Sequence, residues 1–293
     1  MYQQATPINF DWNADAATYR ADSALNFHTL RDFHRDPKAF HEGYFAEREE
    51  SDAMRFGTAL HCLLLQGRDA FDAQTAVFDP PINEKTGEPF GTATKAYREA
   101  YEAFLADANG KTIISAQDVA TCEKLQTELL LHPNAAKVLY GDFGASEVAL
   151  RGSFTIDSGE GEVEIPVKGM IDRYCSSGLV EIKTTAAFDD VYGRDRFRYT
   201  IYDYQYLVQL AFYHKILTEF YGAPFVPCWI VALERIAPNR VAVYAIEEDV
   251  ITKARDVASA WLIEYARSKA ASVFHSRYDE IRTIQNYDYS RDI

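Results

Sequence analysis

The spacing of apolar positions changes along the chain and divides it into blocks of different structure. Ser23 precedes a helical pattern over roughly 24–34, which its hydroxyl would cap, and Pro37 is placed to open the next helix. RFGTALHCLLLQG (55–67) is apolar at helical spacing and stops at Gly67, which predicts a buried helix carrying His61. Residues 79–94, DPPINEKTGEPFGTAT, are rich in Pro, Gly and Thr and predict a long surface loop. Helical periodicity returns over 95–109 and 115–140, with a break at His132-Pro133.

From 145 the pattern is that of strands. The runs 146–156, 162–175 and 178–185 are β-rich, separated by DSGEG and SSG turns, and predict an antiparallel meander. An apolar, Tyr-rich stretch over 200–221 predicts one helix; strands at 228–234 and 240–247 and a last helix over roughly 249–273 follow. Helices, then a sheet, then a helix, a strand pair and a closing helix predict a mixed α/β fold of the α+β type, a mixed sheet flanked by helices. The expected organisation is an extended arm (1–20), a single domain (21–275) with a helical portion (21–140) before the sheet core and flanking helices (145–275), and a polar tail (276–293).

Composition narrows the class. No run approaches the ~18–20 apolar residues of a membrane helix, and the N-terminus has neither a basic start nor an apolar stretch, so a cytoplasmic location is expected. Cysteines stand at 62, 122, 175 and 228, with no CxxC pair, so free thiols are expected rather than a zinc or iron–sulfur knuckle. The formal charge of −14 argues against binding nucleic acid through a broad basic surface. It leaves room for a channel in which Lys and Arg are gathered.

The candidate chemistry lies in VKGMIDRYCSSGLVEIKTT (167–185). Strand alternation puts Glu181 and Lys183 on one face, with Ile182 on the other. With Ser176-Ser177 as a two-residue hairpin loop, Cys175 pairs with Gly178 and Asp172 lies opposite Glu181; a three-residue loop would shift this by one position. Two carboxylates held that close repel unless a cation lies between them, and a divalent metal is the usual solution. Metal plus lysine suits phosphodiester hydrolysis. The competing reading is a solvated cross-strand charge pair. Gln209 and Tyr213 share a helical face at i, i+4, with Gln205 on the same stripe, either facing a cleft or packing in the core. From its own surroundings His61 reads as a hydrogen-bonded core histidine before a ligand, and Glu147, at a strand start, as a solvated acid.

Taken together, G-T-A-L-H (57–61), F-G-T-A-T (90–94), H-P-N-A-A (132–136), Glu147, K-G-x-I-D (168–172), E-I-K-T-T (181–185) and Y-x-x-Q-x-x-x-Y (206–213) resemble the RecE-type, exodeoxyribonuclease VIII-like exonucleases of the PD-(D/E)XK nuclease superfamily. The resemblance covers about 50–250, and it is the order of the motifs that makes it specific. It implies that His61, Asp172 and Glu181 ligate metal, with the Ile182 backbone carbonyl placed to complete the shell. Lys183 would orient the attacking water and stabilise charge on the phosphate; Gln209 and Tyr213 would support the site and the DNA strand. Mg²⁺ is the implied cofactor, with Mn²⁺ as a substitute favoured by the imidazole. The implied activity is 5′-to-3′ degradation of linear double-stranded DNA from its ends, leaving a single strand for an annealing protein in recombination. A ring-shaped homo-oligomer in a bacterial or phage-infected cell would fit. Ile171 replaces the proline of the motif, and Met170 stands where relatives often have arginine. An endonuclease or single-strand nuclease with the same site, or a non-enzymatic partner on a nuclease scaffold, are the alternatives. Arg55, Lys95, Lys168, Arg173, Arg194, Arg196 and Arg198 are candidate DNA contacts by their nearness to the motifs.

Overall fold

The structure is a computed structural model and describes residues 16–45, 50–190 and 192–279. The first helices are short. α1 (Ala16–Ala21) is followed by α2 (Phe27–Arg35) and α3 (Pro37–His41). The expected arm therefore contains a helix at 16–21, and its first 15 residues lie outside the described set. Asn26, not Ser23, caps α2, its side chain accepting from Thr29 N–H at 2.9 Å. The shift has a tertiary cause: Leu25 is drawn out as a strand partner, donating to Pro166 O and accepting from Lys168 N–H, each at 2.9 Å. Pro37 opens α3 behind an Asp36 cap, as expected.

α4 (Asp52–Leu65) is the buried helix of the Gly-Thr-Ala-Leu-His segment, and its exit is turned by Gly67 at φ +91°. α5 (Arg68–Gln74) leads into β1 (Thr75–Val77), which pairs in parallel with β2 (Thr112–Ile114) across α6 (Lys95–Ala108). Three residues are too few for a period-2 pattern to emerge, so neither strand was expected. α7 (Ala116–Leu131) ends at His132, and α8 (Ala135–Tyr140) follows the predicted break.

The main sheet has the order β3-β4-β5-β6-β7. β3 (Gly144–Asp157), β4 (Glu162–Cys175) and β5 (Gly178–Thr185) form the antiparallel meander. The chain then crosses through α9 (Arg196–Asp203) and α10 (Tyr206–Phe220) to β6 (Cys228–Glu234), parallel to β5, and returns along β7 (Val241–Ile246) to α11 (Glu248–Ala271). The single helix expected over 200–221 is thus two, broken where Gln205 adopts the left-handed conformation (φ +59°). Each half buries its own apolar face, Phe197 and Ile201 in one and Leu210 to Leu217 in the other, so periodicity alone hides the break.

Two cores cover the sheet. On one face α2, α10 and α11 pack over Leu150, Val167, Ile171 and Ile230; on the other α4, α7 and α8 pack over Val180, Ile182 and Val231. α10 seats closely because two glycines leave slots in the sheet. A Cβ at Gly169 would lie 2.8 Å from the Tyr213 ring, and one at Gly152 would collide with Phe220, two turns further along the same helix. All four cysteines are free and buried. The start of the expected tail is tied down, Ser276 Oγ donating to Asp36 at 2.7 Å and Arg277 bonding Glu264 at 2.8 Å; residues 280–293 lie outside the described set. No helix among the described residues is long and apolar enough to cross a membrane.

Candidate active site

The β4–β5 hairpin turns on Ser176-Ser177 with Cys175 opposite Gly178, the expected register, but its ladder ends at Arg173 opposite Val180. Beyond that pair the two strands splay, while β5 keeps its pairing with β6 from Leu179 to Thr185. Side chains bridge the gap. Asp172 Oδ2 accepts the Ile182 N–H at 2.7 Å, and Glu181 Oε1 lies 3.4 Å from the Asp172 amide nitrogen. On its other flank β4 also lacks a partner at Asp172: pairing with β3 holds at Ser146–Arg173 and Val148–Ile171 but skips the position between. There Glu147 sits in the left-handed region at φ +50°, an uncommon conformation for a residue with a side chain. The alternation of β4 breaks at the same place. Val167 and Ile171 face the α10 core, and Tyr174, three residues on rather than two, faces it again. Asp172 therefore stands at a local defect of the sheet, freed of ladder bonds on both sides.

Three other elements converge on it. α4 brings His61, whose Nδ1 is 3.5 Å from Asp172 Oδ1. β5 supplies Lys183, whose Nζ donates to Glu181 Oε2 at 2.8 Å and lies 5.0 Å from the centre of the Tyr206 ring. α10 supplies Gln209 and Tyr213, both buried and joined by an Nε2–H···Oη bond of 3.1 Å. Glu147, read from sequence as a solvated acid, accepts from the Gln66 side chain and lies close enough to Asp172 and His61 to be perturbed by both. A signal for it existed: with Asp157 opposite Glu162 across the four-residue turn, counting back places Glu147 opposite Asp172.

Crowding of acids sets the electrostatics. Burial pushes the Glu181 carboxyl up to about 7, helped by the Asp172 charge and only partly offset by Lys183. Burial would raise Asp172 too, but His61, Lys183 and the Ile182 N–H hold it below the ordinary carboxylate range. For Lys183 burial works to lower the pKa, and the two carboxylates outweigh it and carry the ammonium above its usual value. His61 behaves alike, raised against its own burial by Asp172. Glu147 is raised, first by burial and further by Asp172, against the Gln66 hydrogen bond. Tyr19 of α1 is also pushed up, by burial, then by Asp22 and Glu181, so the N-terminal helix flanks the carboxylates.

As the side chains are oriented, no group of three or more His, Cys, Asp or Glu among the described residues stands in metal-holding geometry. The donors nonetheless suit a divalent cation chemically. Asp172 and Glu181 offer oxygen ligands and His61 a nitrogen, and the two carboxylates are countered here by His61 on Asp172 and by Lys183 on Glu181. Swinging that ammonium aside would open Glu181 to a cation. The cluster opens on a cleft of about 1180 Å³, lined among others by His61, Lys183, Arg196, Tyr199, Tyr204 and Tyr206.

Several expected contacts have other tasks. Gln205 is not on the Gln209–Tyr213 stripe, since it precedes α10, and its side-chain oxygen is buried without a hydrogen-bond partner. Lys168 is buried and faces away from the cleft lining: its Nζ donates to the carbonyls of Tyr19 and Asp22, each at 2.6 Å, and anchors α1. Arg173 caps the end of α8, donating to Leu139 O and Tyr140 O at 3.0 Å each and to Ser146 Oγ at 3.0 Å. Lys95 pairs with Glu99 and Arg194 with Asp190, while Arg55 donates to Glu50 O. Arg196 alone of the seven basic candidates lines the cleft.

Residues 26–284 match the sequence profile of a family described as a PDDEXK-like domain of unknown function, DUF3799. No curated protein matches the chain significantly. Among solved structures, a protein from Eubacterium rectale described as a "putative exonuclease" superposes with a TM-score of 0.54 at 14% identity, covering 96% of this chain and 98% of its own. At that identity the likeness concerns the fold. A second structure, SSO0001, has a TM-score of 0.25 at 16% identity over 59% of this chain and 78% of its own, too low to carry an argument.

Proposed function

The chain belongs to this PDDEXK-like domain family, and from that premise we propose that it is a metal-dependent deoxyribonuclease that degrades linear double-stranded DNA from its ends. The observation that carries the reading is the contact of Lys183 with Glu181 at 2.8 Å, in a cleft that also presents His61 and, behind it, Asp172. Asp172, Glu181 and His61 would hold the cation, Mg²⁺ or Mn²⁺, with the Ile182 carbonyl at the same rim. When bound, the metal supplies Lewis-acid polarisation of a phosphodiester and a water of lowered pKa. The chain's own groups do the rest. Lys183 offers an ammonium to charge building on the phosphate, His61 steadies the Asp172 carboxylate at 3.5 Å, and the buried, mutually bonded Gln209 and Tyr213 would support the site and the DNA strand. Direction of degradation (5′ to 3′), delivery of the remaining strand to an annealing protein and assembly into a ring are further parts of this reading and rest on the resemblance of the motifs alone.

End-labelled linear duplex incubated with Mg²⁺, with and without chelator, beside closed circular DNA, tests it. The expected result is loss of the linear substrate only, abolished by chelator and reduced at least a hundredfold in Lys183→Ala, in line with the loss of a charge-stabilising group. Cleavage of closed circles would replace the end-dependent reading by an endonuclease. Equal cleavage by Lys183→Ala would remove the site from consideration.

A further inference from the structure

From the geometry of the cleft we infer that Tyr199 and Tyr204 stack on unpaired bases, so that the cleft takes DNA as a single strand; this rests on the nuclease reading for the identity of the polymer. An exposed tyrosine alone needs no explanation. These two differ in placement. Tyr199 is 67% exposed and Tyr204 57%, yet both line the cleft that contains Lys183. Tyr204 stacks on Tyr206, with ring centres 5.8 Å apart and planes at 25°, and Tyr206 carries the Lys183 ammonium over its face. A row of rings thus runs outward from the lysine, beginning half-buried and ending in solvent. The left-handed turn at Gln205 is what brings Tyr204 and Tyr206 together, since a continuous helix would place residues two apart on different faces.

Charge points the same way. Of the cleft's Asp, Lys and Arg side chains, Lys183 is paired with Glu181 and Asp189 with Arg240 at 2.7 Å, which leaves Arg196 and Asp203, one charge of each sign; His61 faces Asp172. Such a lining attracts phosphates weakly. Affinity for a strand must come mainly from rings, and rings engage bases only where these are unpaired; stacking of this kind tolerates any sequence. For an enzyme working from a duplex end, the strand being cut would be frayed before it reaches Lys183.

Fluorescence anisotropy of a labelled oligothymidine with the full chain in chelator, where nothing is cut, tests the inference. Tyr199→Ala and Tyr204→Ala should each weaken binding about tenfold, while Tyr199→Phe and Tyr204→Phe stay within about twofold of wild type. Tyr202→Ala, on α9 but outside the cleft lining, should behave as wild type. Salt dependence should be shallow, about −0.7 in log–log slope for each of one or two phosphates. Unchanged affinity in both alanine variants, no binding of the oligonucleotide, or tighter binding of a duplex closed at both ends would overturn it. Ring-dependent binding by a protein that cuts nothing would sink the nuclease reading alone; cutting with ring-independent binding would sink only this one.

Discussion

Replacing Gly169 with alanine tests how α10, and with it Tyr213, is held against the sheet. The new Cβ would lie 2.8 and 2.9 Å from Cδ1 and Cε1 of Tyr213, whereas carbons in ordinary contact stand ~3.5–4.0 Å apart. An overlap of roughly 0.6 Å or more must be relieved. Tyr213 cannot swing out, being 4% exposed and bonded to Gln209, so the helix or the strand must give. Overpacking of this kind costs about 1–3 kcal/mol, and alanine returns about 0.4–1 kcal/mol by restricting the unfolded chain. A net loss of about 1–2 kcal/mol is expected in urea denaturation. Gly152→Ala is the internal comparison. Its Cβ meets Phe220, which packs on the Phe154 ring at 5.0 Å but is 40% exposed and has an open side to shift toward, so it should cost less. In a double-mutant cycle with Tyr213→Ala, the Gly169 substitution should become neutral or stabilising, a coupling of about 1 kcal/mol or more. Additive effects of the two changes, or a Gly169→Ala protein no weaker than Gly152→Ala, would refute this account of the slot.

Other outcomes follow from the site and its surroundings. Because the Glu181 carboxyl is pushed up to about 7, a metal binding there must displace its proton below that pH; calorimetric Mn²⁺ affinity should fall up to about tenfold per unit of acid below pH 7, and constant affinity from pH 5.5 to 8 would contradict it. His214 is fully buried, its Nε2 accepting the Val226 N–H at 3.2 Å, and burial lowers its pKa to about 4. The unfolded chain takes up that proton first, so this residue costs no stability above pH ~6.5 and up to about 3 kcal/mol once the pH has fallen to 4; His214→Gln should flatten the acid limb of a stability–pH curve. Arg173→Lys should destabilise the protein by about 1–3 kcal/mol, since a lysine cannot satisfy both α8 carbonyls and Ser146, while affinity for DNA stays unchanged in anisotropy.

The strand meander and the hairpin register were legible because a two-residue loop fixes the pairing: with Cys175 facing Gly178 the ladder runs to Arg173 opposite Val180, and hydrogen bonds through side chains carry Asp172 on to Glu181 and Ile182. The nearness of Lys183 to Glu181 followed from alternation for the same reason. What alternation hid is the defect that makes the site. A period-2 pattern assumes a regular ladder, and neither the left-handed Glu147 nor the change of face between Ile171 and Tyr174 alters the order of polar and apolar residues. Basic residues were the least legible. Lys168 and Arg173 flank the key aspartate in sequence, but strand geometry sends one toward the carbonyls of α1 and the other toward those of α8, which only tertiary packing decides.

Glu147 exposes a conflict between durability and chemistry. Its left-handed backbone costs about 1–3 kcal/mol that glycine would not incur, so selection for heat tolerance alone would be drawn to that codon early. The hardier protein would have lost the acid across from Asp172, and such screens should be run with turnover as a second criterion.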